Sequence, residues 1–188
     1  MAEPIAFTTL NDFVFCPASI YFHNMYDGVE GLLYKEAPQL KGTQAHTKID
    51  EGTHYDADVI SGISLYVERY NLLGKIDRYK QSTHLLIESK RIIKEVYDGY
   101  IFQLYAQYFG MIEAGYVVDE LRLYDISHNK YYTVAKPEDD PLMLGKFESL
   151  IEEIESFNLA HFTPENISKC RNCIYCNICS WSLNDQQE

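Results

Sequence analysis

Three short fragments combine residue types that can do acid, base and metal chemistry: Gly42-Thr-Gln-Ala-His46, Gly74-Lys-Ile-Asp77 and Glu88-Ser89-Lys90. Glu88 and Lys90 are two residues apart, so on a strand they share a face while Ser89 points away. If Asp77 ends one strand and Glu88 and Lys90 end the next, a hairpin brings their side chains to one edge of a sheet. Two carboxylates and a lysine suit metal-assisted phosphodiester hydrolysis. Asp77 and Glu88 would hold a hard divalent cation through oxygen, and the Ser89 carbonyl would add a ligand. His46, placed on a helix, would supply nitrogen, which favours a transition metal such as Mn²⁺. A bound cation polarises the phosphate and acidifies a water, and Lys90 would orient that water or stabilise the developing charge. Singly, each fragment is commonplace: E-x-K on a strand is usually a surface charge ladder, G-x-x-D is usually a turn, and a lone His is usually structural. The ordered set is far more specific.

A second group lies in the tail, Cys170-Arg-Asn-Cys173-Ile-Tyr-Cys176-Asn-Ile-Cys179, with Cys16-Pro17 far upstream. Four thiolates hold Zn²⁺ well, and C-x₂-C pairs are its usual ligands. An iron–sulfur cluster also takes four Cys thiolates. Spacing alone leaves both open.

The elements that must position these residues follow from periodicity and breakers. Thr8 or Thr9 could cap a helix through Phe15, and Pro17 opens a second helix to Asn24. Gly28 and Gly31 mark a loop, and residues 38–50 read as a helix. Strands are predicted at Ile63–Arg69, Leu72–Tyr79 and His84–Ser89, the last two joined by a turn at Gln81-Ser82-Thr83. A helix runs from Tyr100 to Glu113 and closes on Gly115. Leu121–Ile126 and Tyr131–Ala135 form a hairpin around His128-Asn129. Pro141 opens a helix with a core-facing stripe of Leu144, Phe147, Ile151 and Ile154. The tail beyond Pro164 is too short for a core of its own and needs a staple.

Composition sets the limits. The 188 residues are 46% hydrophobic and 23% charged, which is globular rather than disordered, and the formal charge is −12. That excess argues against a general nucleic-acid coat but not against a nuclease, since charge acts locally. Residues 75–94 hold Lys75, Arg78, Lys80, Lys90, Arg91 and Lys94 against Asp77 and Glu88, a window of +4 that leaves −16 on the rest of the chain. It suits either a cationic strip for phosphates or a solvated, lysine-protected strand edge. Tyr supplies 16 residues, mostly for packing; Tyr21, Phe22, Tyr26, Tyr97 and Tyr100 are placed to stack unpaired bases. No stretch reaches a membrane span, and the first residues lack the layout of a secretion signal. A cytoplasmic location, with reduced thiols, is the expectation.

The ordered set His46, Asp77, Glu88 and Lys90, followed by a helix carrying Gln103, resembles the RecB-like branch of the PD-(D/E)xK nuclease superfamily. A Gln-x-x-x-Tyr motif normally follows E-x-K there; this sequence has Gln103 but Gln107 in the Tyr position. One Cys before these motifs and C-x₂-C-x₅-C after them resembles the iron–sulfur signature of the AddB type and of the fourth CRISPR-associated (Cas) protein family. The small size and motif order make that stand-alone Cas family the best match, over about Leu10 to Trp181.

The resemblance implies an α/β protein whose RecB-like PD-(D/E)xK core, a mixed sheet flanked by helices, occupies 38–160. A helical cap from 1–30 and 161–181 would be stapled by a [4Fe–4S] cluster on Cys16, Cys170, Cys173 and Cys179, leaving Cys176 surplus, all in a single domain 1–188. Asp77, Glu88, Lys90 and Gln103 would be catalytic, and His46, Asp77, Glu88 and Ser89 would hold Mn²⁺ or Mg²⁺. The implied activity is metal-dependent trimming of single-stranded DNA or overhangs, serving prespacer processing in antiviral defence beside the CRISPR integrase complex. Two rivals are a RecB-like repair or phage nuclease without a CRISPR partner, and a catalytically silent Fe–S or zinc DNA-binding module.

Overall fold

The computed structural model describes residues 3–26 and 58–183. The predicted helix at 38–50, the loop at Gly28 and Gly31, and His46 lie outside the described residues. The order runs β1 (Ile5–Ala6), α1 (Phe7–Phe15), α2 (Pro17–Tyr26), β2 (Val59–Ile60), β3 (Ser64–Val67), β4 (Leu72–Lys75), β5 (Arg78–Lys80), β6 (Leu85–Lys90), α3 (Asp98–Glu113), β7 (Glu120–Asp125), β8 (Lys130–Val134), α4 (Pro141–Ser156) and α5 (Ile167–Arg171). Strands form a three-stranded sheet, β1-β4-β3, and a five-stranded sheet, β2-β5-β6-β7-β8. This is a mixed α/β fold with helix-flanked sheets, as expected.

The predicted strand Leu72–Tyr79 is in fact two strands in two sheets. β4 pairs with β3 from Leu72 to Lys75, and β5 pairs with β6 from Arg78 to Lys80. Ile76 and Asp77 make the crossing. Ile76 is buried, and its N–H and C=O bond Ile63 and Gly62. One continuous apolar pattern therefore served two ladders, and periodicity carries no mark of a change of sheet. Gly74 is needed just before the crossing, because the Phe7 ring lies 2.3 Å from where its Cβ would sit.

Among the described residues, three hairpins close on a left-handed residue: Asn71 (φ 50°), His84 (φ 47°) and Asn129 (φ 50°). Asn and His are among the side chains that accept this region most readily. The turns at Glu68–Tyr70 and Gln81–Thr83 are short 3₁₀ segments. The predicted strand Ile63–Arg69 therefore ends at Val67.

Helix α3 crosses over between the parallel strands β6 and β7, and packs on α1, β3 and β6. It begins two residues before its predicted start. Its end is a Schellman motif: Gly115 (φ 85°) donates to the Ile112 carbonyl and Tyr116 to that of Met111. Residues 102–108 of α3 are all buried. Helix α1 starts after Ala6 with no side-chain cap, so neither Thr8 nor Thr9 caps it. Asp140 caps α4 by accepting from Met143, and the Pro141 stripe faces the core as predicted, with Phe147 and Ile151 buried. No helix among the described residues is long and apolar enough to cross a membrane.

Candidate active site

Strand β6 carries Glu88 and Lys90 on the face covered by α3. Glu88 is 4% exposed, a costly place for a carboxylate unless it is paired. Lys90 Nζ lies 2.7 Å from Glu88 Oε1 and donates to the Gln103 side-chain oxygen. Gln107, one turn further along α3, donates through Nε2 to Glu88 Oε2. Polar residues in so buried a helix need partners, and these two glutamines find theirs in the E-x-K pair. The Lys90 ammonium also sits 5.0 Å from the centre of the Tyr100 ring.

Asp77, at the crossing between sheets, accepts from the Ser89 N–H at 2.7 Å. The break that the sequence hid thus swings Asp77 onto the end of β6. Burial pushes Glu88 above the usual carboxylate range; Lys90 works against that shift, and the Asp77 charge adds to it. The structure brings Asp77, Glu88, Ser89, Lys90 and Gln103 together. His46 cannot be placed with them, because it lies outside the described residues.

The donors gathered here are oxygens, those of the Asp77 and Glu88 carboxylates. Beside them, the Gln107 side-chain oxygen is buried with no hydrogen-bond partner among the described residues. That chemistry fits a hard divalent cation. Among the described residues, no three His, Cys, Asp or Glu side chains are gathered tightly enough to ligate a metal by themselves.

The cationic window does not form one strip. Lys90 turns toward α3, whereas Arg78 lies on the opposite face of the sheet, bonds Ser89 Oγ at 3.3 Å and stacks over Tyr124 at 4.7 Å. Lys80 pairs with Asp58 at 3.8 Å. Arg91 and Lys94 lie in the loop between β6 and α3.

Sequence reasoning missed one supporting residue. Asp125 is fully buried and accepts from the Ile93 N–H, the His128 N–H and the His128 ring, holding the loop that follows Lys90. Burial alone would raise its pKa, but these hydrogen bonds together hold it below the usual range. Its one sequence signal was Asp125 three residues before His128.

The cysteines share the walls of a second place. All five are free, and they line one pocket of about 750 Å³ with Phe15, Phe157, Phe162 and Trp181. Burial raises the Cys16, Cys173 and Cys179 thiols, Cys173 to about 11, and the neighbouring sulfurs push in the same direction. Thiolates are the donors that zinc and iron–sulfur clusters use, but in this structure no three of these sulfurs are gathered closely enough to hold a metal ion. Cys176 differs, since its sulfur contacts Ser182 Oγ at 3.3 Å. Above the pocket, Phe22 stacks on Tyr175 at 5.2 Å, and Tyr21 meets Trp181 edge-on.

No family model matches this chain, and no curated protein matches it. Among solved structures, the crystal structure of SSO0001 aligns with a TM-score of 0.63 at 15% identity, over 98% of this chain and 89% of that one. The two share a fold. At that identity the likeness extends to architecture, and chemistry must be argued from the residues.

Proposed function

We propose that this protein is a divalent-metal-dependent DNA nuclease of RecB-like PD-(D/E)xK type, acting on single strands or overhangs. The observation that carries this reading is the convergence of Asp77, Glu88 and Lys90, from two sheets' worth of strand, under Gln103 and Gln107. Asp77, Glu88 and the Ser89 carbonyl would hold Mn²⁺ or Mg²⁺. When bound, the cation supplies a polarised phosphate and an acidified water.

The chain's own residues do the rest. Gln107 fixes one Glu88 oxygen and Lys90 faces the other, so the carboxylate has a defined orientation. Gln103 holds the Lys90 ammonium at the edge of the site, where it can direct a water and stabilise charge on phosphate. The Tyr100 face steadies the same ammonium.

Cys16, Cys170, Cys173 and Cys179 would hold a [4Fe–4S] cluster in the cysteine pocket, with Cys176 left to Ser182. The family resemblance in the motifs supports a role in prespacer trimming beside a CRISPR integrase complex. The test is a cleavage assay on 3′- and 5′-overhang DNA with anaerobically purified protein in Mn²⁺, Mg²⁺ or chelator, with and without the integrase. Cation-dependent shortening of overhangs is expected. Intact DNA in every cation would refute the nuclease reading.

A further inference from the structure

The segment that leads from β6 into α3 is held at both ends. Just beyond Lys90, the Arg91 carbonyl accepts from the Ser127 N–H at 3.0 Å, and the Ile93 N–H donates to Asp125 at 2.9 Å. At the other end, the Asp98 carboxylate pairs with Lys146 of α4 at 2.9 Å. Gly99 is pressed against α1, where a Cβ would fall 2.6 Å from Asn11 Oδ1.

Tyr97 is the last residue before α3, and it is 48% exposed. Its ring meets that of Tyr100 edge-on, with centroids 5.6 Å apart and planes at 83°. Tyr100 in turn lies against the Lys90 ammonium, 5.0 Å from ring centre to Nζ. Two rings in succession thus lead from Lys90 out to solvent. Edge-on packing covers at most one face of the Tyr97 ring. The other aromatic side chains suggested for base stacking are placed differently. Phe22 is buried and stacked on Tyr175, Tyr100 is engaged with Lys90, and Tyr21 packs beside Trp181 at the cysteine pocket. The loop that ends in Tyr97 also carries Arg91 and Lys94 against Glu95, two cations to one carboxylate in a chain of net charge −12. That local balance suits a polyanion.

Inside a duplex, neighbouring bases cover both faces of each base. An unpaired base has a face to offer, and stacking on an aromatic ring is indifferent to its sequence. A ring that is already held in place loses little freedom when it binds.

We propose that Tyr97 is a specificity-determining residue: its ring stacks on an unpaired base of the strand whose phosphate lies at Lys90, and so selects single-stranded DNA over duplex. The nuclease reading supplies the place of the phosphate, and the ring geometry supplies the stacking.

Fluorescence anisotropy of the full chain with a single-stranded oligonucleotide tests it, with Ca²⁺ in place of Mn²⁺ so that the strand is bound and not cut. A single abasic nucleotide is moved along the strand. On the intact strand, Tyr97→Ala should bind about tenfold more weakly, the scale of one base–aromatic stack, and Tyr97→Phe should bind as wild type does. At one abasic position wild type should lose the same factor and Tyr97→Ala nothing further, because the stack is already gone. Aminopurine fluorescence at that position should be quenched by wild type and stay bright with Tyr97→Ala. Unchanged affinity of Tyr97→Ala for the intact strand would overturn the proposal. So would an equal loss at every abasic position or on blunt duplex, since Tyr97 would then act through the fold or the phosphates. A wild-type chain that binds no single strand would overturn it too. Failure of the nuclease reading looks different: a strand that shows the stacking signature yet stays uncut in Mn²⁺ and Mg²⁺ would refute that reading and leave Tyr97 as a binding residue.

Discussion

Glu88 sits where its charge is expensive, and each of its oxygens has a dedicated partner. Lys90 answers one and Gln107 the other. Gln107 occupies the position where the nucleases that the motifs resemble carry Tyr, and its amide reaches the Glu88 carboxylate from the same face of α3 as Gln103. Replacing it by Leu should leave a buried carboxylate oxygen unheld. We expect a loss of about tenfold in cation-dependent cleavage and of about 1–3 kcal/mol in stability, read from activity and from urea melts. Gln107→Tyr should restore most of the activity, because a phenol can also donate to Glu88. A Leu variant as active as wild type would show that the Gln107 contact is incidental.

Among the elements, the segment from β6 into α3 carries the most information. Its E-x-K side-chain alternation was legible from spacing alone, and so was the helix with Gln103 on it. The break at Ile76–Asp77 was not, because a chain that leaves one sheet for another keeps the same period of two. Asp125 was also hidden, since its role depends on the loop it holds rather than on its neighbours in sequence. That role has a pH signature. The folded-state pKa of Asp125 is lowered, so its stabilising contribution is present above the unfolded value of about 4 and is lost as pH falls through the folded value. Asp125→Asn should cost about 2 kcal/mol at pH 7 through its broken hydrogen bonds. The cost should shrink in acid, because wild type loses the same charge there. Melting temperatures of both proteins between pH 3 and 7 measure this, and a gap that stays constant or widens in acid would contradict it.

At the scale of the whole molecule, the tail is tied to the N-terminal helices across most of the chain. Lys169 Nζ donates to the Val14 carbonyl at 2.9 Å, 155 residues away in sequence, and the cysteine pocket lies beside that contact. Closing so long a loop restricts the unfolded chain, with a gain that grows only logarithmically with length. Under the proposed [4Fe–4S] assignment, serine at Cys16, Cys170, Cys173 or Cys179 should bleach a brown chromophore and lower the melting temperature. Serine at Cys176 should leave iron content near wild type. Bleaching at Cys176 with colour kept at Cys179 would reverse the ligand assignment, and a colourless zinc protein from anaerobic purification would replace the cluster with a zinc site. The cysteine spacing was plain in the sequence. That Cys16 belongs with the tail was implied by the motif resemblance rather than by spacing, and the fold lines one pocket with both.

The central claim is that Asp77 and Lys90, drawn together by a strand crossing and a buried helix, form one hydrolytic centre. Cleavage of overhang DNA by wild type, Asp77→Ala and Lys90→Ala, each with its fold checked by circular dichroism, tests it most directly. We predict Mn²⁺- or Mg²⁺-dependent cleavage by wild type and a loss of at least about 100-fold in each variant, the scale expected when a group that stabilises transition-state charge is removed. Full activity in both folded variants would contradict the account.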